Sequence, residues 1–292
     1  MSLTDIGYVK RLMAAHGITF QKKFGQNFLI NPMVPQRIAE ECGARPCDAI
    51  LEIGPGIGTM TQYLCEMYER VVCVEIDRAL IPVLGETLAD YDNVTVIEGD
   101  IMKIDLAALF AEHFQGKNVT VCANLPYYIT TPILMRLLES GIPLDNITVM
   151  IQREVADRLC AAPGTAEYGA VTAAAQYYAE VEKLFNVSAG NFLPAPKVDS
   201  AVVRMRLYRD RPVKVENEEM LFRTIRAAFG QRRKTLLNAL SAGMGEFTKP
   251  ELSEAITKAG FSETIRGERL SVAEFGTLSD VLWKKKTQKT TD

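Results

Sequence analysis

From residue 49 to residue 140 the chain alternates between two patterns. Short apolar runs stand at 49–53, 71–75, 94–98 and 119–123, and stretches of helical character follow near 59–68, 79–89, 105–113 and 132–140. Apolar runs this short, without polar alternation, suit strands covered on both faces. A helix between two strands returns the chain to its starting end, so successive strands pair in parallel. The alternation predicts βαβ units, and hence a Rossmann-like α/β sheet with helices on both faces. Further strands are predicted at 146–151, 178–185 and 201–208.

The flanks read differently. Residues 4–16 predict a helix ended by Gly17, followed by a polar, basic loop at 21–28. Asn31-Pro32 starts the next helix, with proline at its first position, and Gly43 stops it. Past Arg209 helices are predicted near 217–229, 231–242, 250–259 and 271–284, with a frayed tail from Lys284. The expected division is an α/β domain over 1–208, whose first 45 residues are N-terminal helices and a covering loop, and a small all-α domain over 209–292.

With 48% hydrophobic and 24% charged residues the chain can bury a large core. No apolar run approaches the ~18–20 residues that span a bilayer, and the start Met1-Ser2-Leu3-Thr4-Asp5 does not read as a signal peptide. A cytoplasmic protein with no membrane partner is expected. Cysteines at 42, 47, 65, 73, 122 and 160 form no C-x-x-C pair, and the only histidines are His16 and His113. That pattern argues against a metal site and against histidine-dependent nucleophilic catalysis. The net charge of −3 hides an uneven distribution: residues 1–37 carry +4, 38–199 carry −13, 200–240 carry +6, and 241–292 balance. An acidic body between basic segments fits a catalytic core with a basic rim for nucleic acid.

Two sequence features carry the chemistry. The first is Glu52-Ile53-Gly54-Pro55-Gly56-Ile57-Gly58, which closes the first sheet strand. Its spacing is G-x-G-x-G, not the dinucleotide G-x-G-x-x-G, and Pro55 removes an N–H that a pyrophosphate would use. Glu75 ends the second strand and Asp100 follows the third. Acids there accept hydrogen bonds from ribose hydroxyls and from an adenine amine. The ligand implied has a ribose and an adenine but no phosphates to cradle; S-adenosyl-L-methionine fits, and NAD fits less well.

The second feature is Asn124-Leu125-Pro126-Tyr127, directly after the strand at 119–123. An amide and a backbone carbonyl can accept the two hydrogens of an exocyclic amine, and an aromatic face can stack on its ring. The same four residues also suit an ordinary strand-to-loop turn.

Together these features resemble the class I S-adenosylmethionine-dependent methyltransferases, and more narrowly the small-subunit ribosomal RNA adenine dimethyltransferases. The resemblance covers nearly the whole chain. It rests on Lys22-Lys23-Phe24-Gly25-Gln26-Asn27-Phe28-Leu29, Glu52 to Gly58, Glu75, Gly99-Asp100, Asn124 to Tyr127, Asn191-Phe192-Leu193-Pro194-Ala195-Pro196-Lys197-Val198-Asp199-Ser200, and Phe229-Gly230-Gln231-Arg232-Arg233-Lys234-Thr235-Leu236.

The resemblance implies a seven-stranded sheet whose last strand is antiparallel, with a helical domain after it. By the same token Asn27 and Leu29 bring the N-terminal loop over the cofactor, and Gly54 and Gly56 line it. Glu75 holds the ribose, Asp100 reads the adenine, and Asn124 touches both cofactor and target amine. Tyr127 and Phe192 are expected to cover the two faces of the target base. Lys22, Lys23, Arg223, Arg226, Arg232, Arg233 and Lys234 are expected to meet RNA phosphates, the five C-terminal ones at spacings that can share a helical surface. The implied reaction dimethylates two adjacent adenosines in the 3′-terminal hairpin loop of 16S rRNA, within a precursor of the small (30S) subunit. The implied protein is a monomer that acts late in subunit assembly, and loss of the modification is associated with kasugamycin resistance. Cys122 is not preceded by proline, as a cytosine-C5 methyltransferase nucleophile would be, and reads as core.

Other readings stay open at this point. A 23S rRNA adenine methyltransferase of the erythromycin-resistance type shares the core, but the segments 191–200 and 231–234 favour the small subunit. A DNA adenine methyltransferase usually starts the corner motif with Asp and carries a DNA-recognition domain. A noncatalytic ribosome-binding factor would not need the strand-end acids or Asn124.

Overall fold

A computed structural model describes residues 2–18 and 27–291; Lys22 and Lys23 lie outside them. By internal contacts the chain divides into two compact units, residues 1–156 with 180–207, and residues 157–179 with 208–292.

The first unit is built on a seven-stranded sheet. Its strands are β2 (Ala49–Ile53), β3 (Arg70–Glu75), β4 (Val94–Glu98), β5 (Val119–Asn124), β6 (Leu144–Gln152), β7 (Ala179–Val187) and β9 (Ser200–Leu207). Their order across the sheet is β4-β3-β2-β5-β6-β9-β7. Strands β2 to β6 pair in parallel, and β9 lies antiparallel to β6. The order reverses at β2, which pairs with β3 on one side and β5 on the other, so a crevice opens at the carboxyl ends of β2 and β5. The remaining strands, β1 (Phe28–Leu29) and β8 (Phe192–Leu193), form a separate antiparallel pair.

The unit's helices are α1 (Ile6–Ala15), α2 (Met33–Glu41), α3 (Thr61–Met67), α4 (Ile81–Thr87), α5 (Leu106–His113), α6 (Thr130–Glu139) and the start of α7 (Arg153–Leu159). Helix α2 begins one residue later than the sequence places it, with Pro32 just before its first residue; Asn31 Oδ1 accepts the Met33 N–H at 3.1 Å, and Gly43 leaves the helix with φ +89°. Helix α6 starts earlier than predicted. Thr130 Oγ1 donates to the Pro126 carbonyl at 3.1 Å and anchors its first turn, which leaves Pro132 inside that turn, where its missing N–H costs nothing.

One core cluster joins α2, α3 and the sheet through Ile38, Cys42, Ile50, Leu64, Cys73, Cys122 and Met150, all buried. Cys122 is thus a core residue, as predicted. A second cluster joins Val9, Leu12 and Met13 of α1 to Phe28, Ile57 and Leu80. Successive residues of a strand point to opposite faces. Leu29 therefore enters the first cluster and Phe28 the second, which locks β1 between them.

The second unit contains the end of α7, α8 (Ala170–Tyr178), α9 (Glu218–Gly230), α10 (Leu236–Gly243), α11 (Lys249–Lys258) and α12 (Val272–Thr291). A single cut at 208 therefore does not describe the division. Residues 157–179 group with the C-terminal helices because α8 packs on α9 and α12 and carries buried Tyr177 and Tyr178 against Phe222. The Arg211 guanidinium caps both tyrosines at 4.8 Å. The C-terminal tail is not frayed: α12 runs to Thr291, with Lys285 and Lys289 paired to Glu254 and Glu251 of α11, each at 2.6 Å.

Helices α9 and α10 approach so closely that a Cβ on Gly243 would lie 2.7 Å from the Ala227 Cβ. Gly243→Ala is therefore expected to destabilise the second unit by about 1–3 kcal/mol, seen as a lower thermal midpoint of the helical signal.

Candidate active site

The crevice begins with the loop after β2. Gly54 and Gly56 have φ of +69° and +63°, which side chains resist. At Gly56 a Cβ would also sit 3.1 Å from the Phe28 ring. The Gly54 N–H donates to the Val74 carbonyl at 2.9 Å. Glu75 ties the loop to the end of β3, accepting the Gly56 N–H at 3.1 Å on one carboxylate oxygen and the Asp77 N–H at 2.8 Å on the other. A carboxylate has lone pairs beyond these two bonds. Burial pushes its acidity down and its pKa up, and the backbone N–H bonds oppose that shift.

The neighbouring strand supplies the corner. Asn124 ends β5, and its amide nitrogen donates to the Asn27 carbonyl at 3.3 Å. With the nitrogen so engaged, the side-chain oxygen is the end left for accepting a proton donor. The Leu125 N–H is held by the Met150 carbonyl at 3.1 Å, and its side chain is buried. Pro126 accepts the Ile129 N–H at 3.2 Å, closing the turn that presents Tyr127.

The strands β1 and β8 cover this corner. Leu29 stands opposite Phe192 and Phe28 opposite Leu193. The pairing is extended by the Ile30 N–H on the Asn191 carbonyl at 2.9 Å and by Asn31 Nδ2 on Asn191 Oδ1 at 2.8 Å. Neither two-residue strand carries enough pattern to be predicted alone; each was visible only inside a longer motif.

One cavity gathers Asn27, Leu29, Gly54, Gly56, Glu75, Asn124 to Tyr127 and Phe192, ten of the predicted site residues. Asp100 lines an adjoining cavity that shares Gly54, Ile76 and Pro126 with the first. Its Oδ1 accepts the Met102 N–H at 2.9 Å. Site prediction from sequence missed Glu52, Thr59, Met60, Ile76 and Leu80, which also line the main cavity. Thr59 had a signal, as a hydroxyl directly after the glycine loop. Ile76 had another, as the residue directly after a strand-end acid.

The basic residues of the second unit do not share one helical surface. Arg223 and Arg226 lie on α9, but that helix ends at Gly230 and α10 begins only at Leu236. Arg232, Arg233 and Lys234 occupy the exposed turn between, where the sequence predicted helix from 231. The turn forms because Thr235 caps α10, its Oγ1 accepting the Asn238 N–H at 3.4 Å. Arg232 is held by Glu268 at 2.9 Å and by the Thr165 carbonyl at 3.1 Å, and Arg223 pairs with Glu246. Arg223, Arg226 and Gln231 line a shallow groove. Among the described residues no His, Cys, Asp and Glu cluster is placed to hold a metal, and no helix is long and apolar enough to cross a membrane.

Glu52 lies at the floor, 1% exposed, with the Cys73 thiol 3.5 Å from its carboxyl. Burial raises its pKa from 4.5 to about 7. The folded chain thus holds this proton where the unfolded chain has released it, so folding stability falls as pH rises from 4.5 through 7 and levels off above. Glu52→Gln is expected to flatten that part of the profile, which thermal midpoints at pH 5 and pH 8 would reveal as a smaller difference than in the parent.

Against known proteins, residues 17–279 match the family model described as ribosomal RNA adenine dimethylase. The chain is 53% identical over 269 residues to the ribosomal RNA small subunit methyltransferase A of Lachnoclostridium phytofermentans, covering 91% of this chain and 92% of that one. It is 46% identical over 286 residues to the protein of the same name from Streptococcus pneumoniae serotype 2, covering 97% and 98%. Among solved structures, a dimethyladenosine transferase from Plasmodium falciparum superimposes with a TM-score of 0.74 at 26% identity, over 90% of this chain and 98% of that one. The 23S rRNA methyltransferase ErmE gives 0.67 at 25% identity, over 88% and 99%. The erythromycin-resistance type thus shares the architecture, while relatives at 44–53% identity carry the small-subunit name. The chain belongs to the ribosomal RNA adenine dimethylases, a family of S-adenosylmethionine-dependent methyltransferases.

Proposed function

We propose that this protein transfers methyl groups from S-adenosylmethionine to N6 of two adjacent adenosines in the 3′-terminal hairpin of 16S rRNA, acting on the small subunit late in its assembly. The observation that carries the site is the convergence of the glycine loop, Glu75 and the Asn124 corner on one crevice at the reversal of strand order.

The residues present fit the methyl donor. Thr59 is 6% exposed and lines the cavity, and its buried Oγ1 has no hydrogen-bond partner, as expected of a hydroxyl waiting for a polar ligand group. Gly54 and Gly56 leave the backbone open to close approach, Glu75 keeps lone pairs for ribose hydroxyls, and Asp100 faces the adjoining space for an adenine amine. When bound, the donor supplies an electrophilic methyl group on a sulfonium.

The protein's own part is positioning and polarisation. An adenine amine is a weak nucleophile because its lone pair is delocalised into the ring. Asn124 Oδ1 and the Leu125 carbonyl, each accepting an N–H, draw the amine toward a tetrahedral shape that frees the lone pair. The Asn27 carbonyl fixes which end of the Asn124 amide faces the pocket, and Pro126 fixes the backbone after Leu125. Tyr127 and Phe192 form aromatic walls for the base. Extrusion of the base is cheaper from a hairpin loop than from a duplex.

Methyl transfer into small and large subunits offered in parallel, both from unmodified strains and read by mass spectrometry, tests the assignment; label in the 3′ hairpin of 16S rRNA supports it, and label in the 23S rRNA of the large subunit instead would favour the other branch. Asn124→Ala is expected to lower turnover by about 100-fold or more with a smaller change in cofactor affinity; near-normal turnover would remove Asn124 from this role. Phe192→Ala is expected to reduce RNA turnover more than cofactor affinity, and equal losses in both would argue against a base-stacking wall.

For the basic residues, binding of the protein to isolated 3′-hairpin RNA should weaken steeply between 50 and 200 mM salt, roughly in proportion to the phosphates contacted. Arg226→Ala and Arg233→Ala should each make that slope shallower, and a slope unchanged by both would place the phosphate contacts elsewhere.

A further inference from the structure

The Tyr127 side chain is tethered far along the chain. Its hydroxyl lies 2.8 Å from Ser200 Oγ. Ser200 is 1% exposed and is the first residue of β9, where it stands opposite Gln152, the last residue of β6. Its neighbour Asp199 is itself pinned. Asp199 accepts the Ala189 N–H at 3.1 Å, pairs with Arg153 at 3.4 Å, and its carbonyl accepts the Arg153 N–H at 3.0 Å. Ser200 Oγ is thus mounted on the sheet, while Tyr127 sits half-buried on the loop between β5 and α6.

A phenol ring on a loop at the mouth of a cavity has more than one staggered rotamer open to it. A hydrogen bond at the far end of the ring selects one of them. We propose that Ser200 is a positioning residue for catalysis: through the Tyr127 hydroxyl it holds the ring in the plane that the target adenine stacks on. This rests on the reading of Tyr127 as a base-stacking wall. The segment 191–200 then serves one pocket with both ends. Phe192, held opposite Leu29, forms one wall, and Ser200 orients the other. The Tyr127–Ser200 bond itself includes no residue of the glycine loop, so its effect falls on the RNA side of the reaction and not on cofactor binding.

A double-mutant cycle on the full-length protein tests this, with unmodified small subunits as substrate and cofactor Kd measured separately. Ser200→Ala and Tyr127→Phe are each expected to lower kcat/KM for subunits about five-fold, the scale of one hydrogen bond. Cofactor Kd should stay within about two-fold, and the double variant should be no worse than either single one. Ser200→Ala at full activity overturns the proposal, as does a double variant in which the two losses multiply, since Ser200 would then act elsewhere. If Ser200→Ala does not fold, Tyr127→Phe decides. A five-fold loss with intact cofactor binding supports the proposal, and full activity overturns it. Tyr127→Ala separates this inference from the reading beneath it. Normal turnover there overturns both, whereas a large loss there beside an unaffected Ser200→Ala leaves the stacking wall and removes only the tether.

Discussion

The pairing of β2 with β3 on one side and β5 on the other is the constraint on which the site depends. Because all three run in parallel, their carboxyl ends finish at one edge. Ile53 stands opposite Val74 and Ala123, so the residues that follow each strand emerge side by side. The glycine loop, Glu75 and Asn124 meet for that reason alone, although they are up to 70 residues apart in sequence. The loop is then fixed in place by backbone donors on the Glu75 carboxylate, which couples the shape of the crevice to the end of β3.

The N-terminal cover follows from a different economy of contacts. Two residues of β1 pair with two of β8, which would be marginal in isolation. Phe28 and Leu29 stabilise the pair by entering separate core clusters, and Asn31 and Asn191 continue it with side-chain bonds. The contact between the Phe28 ring and Gly56 makes the cover and the glycine loop sterically dependent on each other. A larger residue at position 56 would therefore disturb both the loop conformation and the position of β1.

Much of this was legible in the sequence where a residue's role is set by its place on a strand. The apolar runs gave the strands to within two residues, and the strand-end positions of Glu75, Asp100 and Asn124 gave the crevice. What was not legible depends on contacts distant in sequence. Helix α8 reads AVTAAAQYY and is apolar almost all round, so periodicity could not assign it, and only packing against Phe222 groups it with the C-terminal helices. Residues 231–234 contain good helix formers, yet the chain turns there because Thr235 caps the next helix. The lysine-rich tail lacks an apolar face but is held helical by carboxylates of α11. Glu52 was visible as part of a motif, but its proton affinity comes from burial in the sheet, against which the Cys73 thiol bond works.

The charge of the crevice bears on its chemistry. The body that holds it is strongly acidic, yet the corner itself presents an amide. Glu52 holds its proton up to about pH 7, and Glu75 spends part of its capacity on backbone N–H groups. A carboxylate in place of Asn124 would place a full negative charge against β2 and its buried acid, raising the cost of ionising both. An amide accepts the same hydrogen bond without that cost. On the proposed reading, the neutral corner is therefore the feature that lets a pocket floored by a buried carboxylic acid polarise an amine without a second ionised group beside that acid.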